Sequence, residues 1–277
     1  MEKIGVSLHV GTLLNTPETE AQAALQKEYG GAAALLAYLR REGVCSIEVR
    51  NVREHMPVAQ SVAAIRAVHE AGLGTSVHIA FEERAGREYA ARVRTMIDEA
   101  LRGQERVVFT LHPLKNDGET AARYADWAAA LHEYVGRCRL ELENMRVLKP
   151  DAGHNRIARV AQNIRSAPEA ARGVCWDMGH YAYNIVTLGL PAETCPVRDI
   201  LGQVIHTHIH SLHHPELDTH FPLQRTNEPV KSYLAALRAA GYQGIYNIEL
   251  EPERYIRVMS PRAGMEQTVS VLKEWLE

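Results

Sequence analysis

Short runs of apolar and β-branched residues alternate along the chain with longer segments whose apolar positions recur every three or four residues. The short runs predict strands over 4–10, 45–52, 74–81, 106–112, 138–144, 173–178, 203–210 and 244–251. The longer segments, among them 59–72, 86–101, 121–134 and 229–241, carry the period of an amphipathic helix. Gly43, Gly72 and Gly241 each fall just past a helical run, where a left-handed C-cap residue is wanted. Thr16 and Pro17 read as the cap and first-turn proline of the first helical region. Strand followed by helix, eight times over, predicts an α/β protein built as a single (β/α)8 barrel across residues 1–277. A doubly wound open sheet is the competing arrangement, but no GxGxxG or GxxxxGK[ST] loop follows the first strand. The least regular stretches are 11–30, 145–155 and 211–228. The first two read as loop or broken helix, and the third as a long polar loop after the seventh strand.

Composition changes this picture little. With 46% hydrophobic residues in 277, the chain can bury a large core, and its net charge of −3 gives no general attraction for nucleic acid. The N-terminus enters a strand-like run directly, without the basic and apolar segments of a secretion signal, and no apolar run reaches membrane-spanning length. Cys45, Cys138, Cys175 and Cys195 are widely spaced and form no CxxC pair, so reduced thiols in a cytoplasmic protein are expected.

The polar residues within the predicted strands carry more information. In a barrel of this kind the reactive groups collect at the carboxyl ends of the strands. His78 lies on the third strand, His112 ends the fourth, and Glu141 and Glu143 lie on the fifth. Asp177 ends the sixth, with His180 three residues on, and Glu249 and Glu251 close the eighth. The seventh opens the run 206-HTHIHSLHH-214, and the loop beyond it adds Asp218 and His220. Alternation along a strand puts Glu141 with Glu143, Glu249 with Glu251, and His206, His208 and His210 together on shared faces. Buried carboxylates are costly unless a positive charge compensates them, and a divalent cation does so. Mixed His, Asp and Glu donors suit Zn, Mn, Co or Fe better than Ca. Glu48 on the second strand reads as a salt-bridge partner with no part in metal binding. His69, His132 and His154 read as ordinary residues, and Trp176 and Tyr246 as core packing or pocket lining.

Taken in order, 142-LENM-145, 176-WDMGH-180, 205-IHTHIHS-211, 218-DTHFPL-223 and 240-AGYQGIYNIELE-251 resemble the xylose isomerase-like barrel superfamily. That group holds sugar and sugar-phosphate isomerases and epimerases together with the endonuclease IV type of nuclease. In the epimerase branch the resemblance implies one metal held by Glu143, Asp177, His208 and Glu249. Glu143 is the acid that precedes Asn, and Glu249 lies five residues past the glycine opening the strand, Gly244. His180 would bind substrate, as would His210, one layer above His208, while His206 would pack one layer below.

The resemblance further implies proton transfer through an enediolate, with Glu143 and Glu249 as base and acid, on a small carbohydrate substrate, in a homodimer or homotetramer. The nuclease branch instead holds three zinc ions. His78, His112, His180, Asp218 and His220 are the candidate ligands of further ions on that reading, which makes the chain a multinuclear zinc hydrolase cleaving phosphodiesters. The nuclease pattern of a strand-seven His followed by x-Asn-Asp is absent, since Ile209, His210 and Ser211 stand there. Together with the net acidic charge, this argues against a nucleic-acid substrate. An iron-dependent redox relative is a third, weaker alternative.

Overall fold

The structure, a computed structural model, describes residues 3–52, 56–79, 86–102, 107–134, 138–149, 152–153, 156–213, 218–226 and 229–277. His154 and His214, and the outer ends of the third and fourth expected strands toward residues 80–81 and 106, lie outside them.

Eight parallel strands close into one barrel. They are β1 (Lys3–His9), β2 (Val44–Val52), β3 (Gly74–Ile79), β4 (Val107–Leu111), β5 (Cys138–Glu143), β6 (Val174–Asp177), β7 (Val204–Ile209) and β10 (Ile245–Ile248). β1 pairs with β2 on one side and β10 on the other, so the barrel has no free edge. The expected (β/α)8 architecture is therefore what the chain adopts. Among the described residues the main covering helices are α3 (Ala32–Arg41), α4 (Val58–Glu70), α5 (Gly86–Ala100), α6 (Asp117–Ala130), α7 (Ile157–Asn163), α8 (Met178–Thr187), α10 (Pro229–Ala239) and α12 (Pro261–Leu276).

Residues 11–30 form the broken helix of the two readings offered, in two pieces, α1 (Val10–Leu13) and α2 (Glu20–Tyr29). Three local expectations need correction. The cap of α2 is Thr19, whose side chain accepts from the Gln22 N–H, rather than Thr16. α6 begins four residues earlier than its apolar period suggested, because Asn116 accepts from the Glu119 N–H and caps it there. The stretch after the seventh strand is not a plain loop either. β8 (Ser211–His213) and β9 (Asp218–Phe221) pair antiparallel across it. The glycines were read correctly: Gly43, Gly72 and Gly241 have φ of +86°, +73° and +87°.

Each barrel strand has two faces with different chemistry. The outward rows are apolar and buried under the helices, with Val6, Ile47, Val49, Val77, Phe109, Leu142, Trp176 and Ile248 among them. Burying one such side chain stabilises by about 1.5–3 kcal/mol. Trp176 and Tyr246 are both fully buried, which favours the packing role over the pocket-lining one. The inward rows are polar. Around the barrel, Ser7 stands opposite Glu48, Glu48 opposite Ser76, and His78 opposite Thr110. Thr110 faces Glu141, Glu143 faces Cys175, and Asp177 faces His208, itself opposite Asn247. Barrel interiors are ordinarily filled by Val, Ile and Leu. Here buried titratable groups take that place, and a buried polar group is costly unless it finds a partner.

Candidate metal centre

The end of β5 and the end of β6 are locked together by one side chain. Asn144 Nδ2 donates to the Asp177 carbonyl and its Oδ1 accepts from the Asp177 N–H, both at 2.9 Å. This explains why the acid Glu143 precedes an Asn: the amide aligns Glu143 with Asp177. Asp177 also caps α8, its Oδ1 accepting from the His180 N–H at 2.6 Å. The D-x-x-H spacing is thus a helix cap that brings His180 back over its own carboxylate. His180 Nδ1 lies 3.1 Å from Asp177 Oδ2 and 3.3 Å from Glu143 Oε1.

Glu143, Asp177, His208 and Glu249 converge, with one donor atom from each within 4.8 Å of all the others, and all four are buried. His208 Nδ1 is 3.3 Å from Glu143 Oε2, 3.2 Å from Glu249 Oε2 and 3.8 Å from Asp177 Oδ2. A tetrahedral ion with bonds of about 2.0–2.1 Å places its donors roughly 3.3 Å apart. His208 Nδ1, Glu143 Oε1 and Glu249 Oε2 are all buried and without a hydrogen-bond partner. Orphaned donors on ligands of the right chemistry, at the right spacing, fit a divalent metal.

Burial disfavours the ionised form of Glu143, yet His208 and His112 outweigh it and hold the carboxyl well below the usual range. Burial likewise raises Asp177, but His180 and His210 bring it below its ordinary value. Burial opposes charge on His208, while Cys175 and the carboxylates of Glu249, Glu48 and Glu143 raise it well above the usual imidazole range. Without a metal, the imidazole supplies the cation that these carboxylates demand.

A second group of donors adjoins the first. His78 Nε2 and His112 Nε2 lie 3.0 and 3.3 Å from Glu143 Oε2, and 3.1 Å from each other. A third group is His180, His210 and His220, with Nε2 of His180 and His220 3.2 Å apart. His220 adopts a φ of +64°, a left-handed backbone that a non-glycine residue holds at a cost of order 1–3 kcal/mol. Its N–H donates to His210 Nδ1 at 2.8 Å.

Two expected site residues sit elsewhere than the sequence suggested. His210, expected against substrate, is fully buried with both ring nitrogens engaged. Nδ1 accepts from His220, so Nε2 carries the proton and donates to Asp177 at 3.1 Å. The ring therefore braces Asp177 rather than facing open space. Asp218 does not join His180 and His220. It is partly exposed and pairs with Arg254 Nη1 at 3.1 Å. The turn into the left-handed conformation at His220 separates the two ends of the D-x-H triplet. Surface pairs of this kind contribute roughly 0–1 kcal/mol. Asp218→Asn is thus expected to leave metal content unchanged, as measured by elemental analysis of the purified variant, and to shift stability by less than about 1 kcal/mol.

Two polar contributors were missed. Arg50 ion-pairs with Glu249 Oε1 at 3.0 Å and Glu251 Oε1 at 3.3 Å, so Glu251 lies outside the cluster, held by Arg50 and Arg254. Glu48 is the salt-bridge partner expected, of His206 and His208, but it is also fully buried, and through His208 it reaches the cluster. The signal was present in 45-CSIEVRNV-52, where Ser46, Glu48 and Arg50 alternate onto one face.

The fold and the placement of these residues on its strands define the class. The chain belongs to the xylose isomerase-like TIM barrel family, whose pattern matches residues 36–275. D-psicose 3-epimerase from Clostridium cellulolyticum, solved with D-tagatose, superposes with a TM-score of 0.64 at 8% identity, covering 98% of this chain and 97% of that one. The IOLI protein, solved with a bound zinc atom, gives 0.59 at 14% identity over 98% of each chain. A sugar phosphate isomerase/epimerase from Parabacteroides distasonis gives 0.60 at 13% identity, covering 98% and 93%. At these identities the likeness establishes the shared fold. No curated protein matches the chain.

Proposed function

We propose that the protein is a divalent-metal-dependent isomerase or epimerase acting on a small carbohydrate, free or phosphorylated. The observation that carries this reading is the pair of carboxylates, Glu143 and Glu249, at 3.3 and 3.2 Å from His208 Nδ1, with Asp177 completing the set. Glu143, Asp177, His208 and Glu249 would hold the ion. When bound, Zn, Mn, Co or Fe would serve as Lewis acid and template for a carbonyl and its neighbouring hydroxyl.

The chain's own residues do the proton work. Glu143, kept ionised, takes the proton from the carbon beside the carbonyl. The electron pair of that C–H bond moves onto the carbonyl, giving an enediolate. Glu249, having taken a proton from solvent, delivers it to the opposite face for epimerisation, or to the adjacent carbon for isomerisation, in which case the hydroxyl proton of that carbon passes to the first oxygen. Arg50 orients Glu249, His210 braces Asp177, and His180, buried beside Asp177 with its Nε2 3.2 Å from His220 Nε2, would turn its imidazole to a substrate hydroxyl. Among the described residues no helix is long and apolar enough to cross a membrane. The four free cysteines fit the reducing cytoplasm as the place of action.

The test is solvent deuterium wash-in, with a panel of ketoses and ketose phosphates and the protein loaded with each metal in turn. Deuterium at the carbon beside the carbonyl of at least one sugar is expected. No incorporation into any of them counts against the reading. Binding of the ion also stabilises the fold by mass action. At 100 times its dissociation constant it contributes about 2.7 kcal/mol, a rise in Tm on the order of 5 °C for a chain of this size. A chelator should reverse that rise in a thermal melt.

One observation favours a second reading. Glu143 Oε2 is shared between His208 on one side and the His78 and His112 pair on the other, all at 3.0–3.3 Å. A carboxylate oxygen so placed suits two ions, as in a multinuclear zinc hydrolase of the endonuclease IV type. Two or three zincs per chain, with cleavage of a phosphodiester and no deuterium wash-in, would decide for it.

A further inference from the structure

Beneath the candidate metal centre, inside the barrel, lies a carboxylate that takes no part in the ligand set. Glu48 has no exposed surface, and four side chains from three different strands converge on it. Ser7 Oγ donates to Oε1 at 2.8 Å, and Thr110 Oγ1 lies 3.3 Å from Oε2. His206 Nε2 lies 2.9 Å from Oε2, and His208 Nε2 lies 3.1 Å from Oε1 and 3.2 Å from Oε2. An ionised carboxylate can only accept, so Ser7 and both imidazoles must be the donors. That requirement places a proton on His208 Nε2. Nδ1, at the far side of the same ring, is then the nitrogen turned to Glu143, Asp177 and Glu249.

We propose that Glu48 is a positioning residue of the metal centre: it holds the Nε2–H tautomer and ring orientation of His208, so that Nδ1 is the nitrogen presented to the ion. The inference rests on the metal reading above. The wider network shows why the device is stiff. Asn247 Nδ2 donates to Ser7 Oγ at 2.8 Å, and Thr110 Oγ1 also lies 2.6 Å from Glu141 Oε1. Glu48 is thereby held from β1, β4 and β7 at once and cannot follow a moving imidazole. Partners of this kind, which orient a ligating histidine through its other nitrogen, are worth about 10–100-fold in metal affinity.

The test uses the full chain loaded with Zn²⁺. Two-bond 1H–15N correlation of the histidine rings identifies which His208 nitrogen is ligated and which keeps its proton. Titration against a chromophoric chelator gives the Zn²⁺ affinity of the wild type and of Glu48→Gln. The expected result is ligation through Nδ1 with Nε2 protonated in the wild type, and affinity weakened about 10–100-fold in E48Q with an altered His208 ring signature. Wild-type ligation through His208 Nε2 overturns the proposal without any variant, so a failure of E48Q to fold does not protect it. Unchanged affinity and an unchanged His208 signature in a folded E48Q also overturn it, while leaving the metal reading intact. A wild type that binds no Zn²⁺ at all overturns both.

Discussion

Glu143→Gln is expected to abolish metal retention and to lower proton exchange by about 10²–10⁴-fold, the range a positioned general base contributes. The substitution keeps the shape of the side chain and removes its charge, and nearly everything around this residue depends on that charge. His78, His112, His180 and His208 each place a ring nitrogen within 3.3 Å of the Glu143 carboxylate. In the absence of metal, three buried imidazoles and the part-buried ring of His112 lose their shared anion. Removing one partner of a buried ionic set costs roughly 3–5 kcal/mol. With metal present, the ligand positioned to be shared between donor groups is gone. Glu141→Gln is the internal contrast. Glu141 lies on the same strand face one layer deeper, where burial raises its carboxyl above the ordinary value, and Thr110 Oγ1 lies 2.6 Å from its Oε1. Elemental analysis and deuterium wash-in should find Glu141→Gln close to wild type in metal content and Glu143→Gln empty and inactive.

Gly179→Ala should be as damaging through packing alone. A Cβ at this position would fall 1.9 Å from His210 Cε1 and 2.0 Å from its Nδ1. The His210 ring is fully buried, bonded to Asp177 on one side and to the His220 N–H on the other, and has nowhere to go. Overpacking of this kind costs about 1–3 kcal/mol. Losing the hydrogen bond to the Asp177 carboxylate adds roughly 1.5–3 kcal/mol. The affinity for Zn²⁺ should fall with the stability, because Asp177 loses its brace. Gly118→Ala provides the comparison. Its added methyl would meet only Asn116 Oδ1, at 3.6 Å, and α6 would gain helix propensity. Thermal melts and Zn²⁺ titrations of the two variants should therefore diverge, Gly179→Ala losing on both counts and Gly118→Ala on neither.

The barrel was legible because its signal is local. Each strand is a short apolar run, each helix a longer periodic one, and neither depends on distant residues for recognition. The convergence of Glu143, Asp177, His208 and Glu249 was legible in part for a related reason: strand ends, where a barrel gathers its chemistry, pointed to the acids and histidines of these four strands, and the family resemblance chose among them. What the chain hides is who meets whom across the interior. Glu48 looked like an ordinary strand acid because its partners His206 and His208 are 158 and 160 residues away. Asp218 and His220 looked like one unit because they are two residues apart, yet the left-handed turn at His220 sends Asp218 to Arg254. His210 looked free to meet substrate, but a glycine at 179 lets its ring pack fully inside. Thr16 and Thr19 compete as caps within four residues, and the choice falls to the one whose side chain reaches the Gln22 N–H.

The most direct test of the central claim is the number of metal ions per chain, measured on the same sample that is assayed for deuterium wash-in. One ion per chain, lost in Glu143→Gln together with deuterium incorporation beside the carbonyl of a ketose, is the result this account predicts. Several zinc ions per chain with no incorporation into any sugar would contradict it.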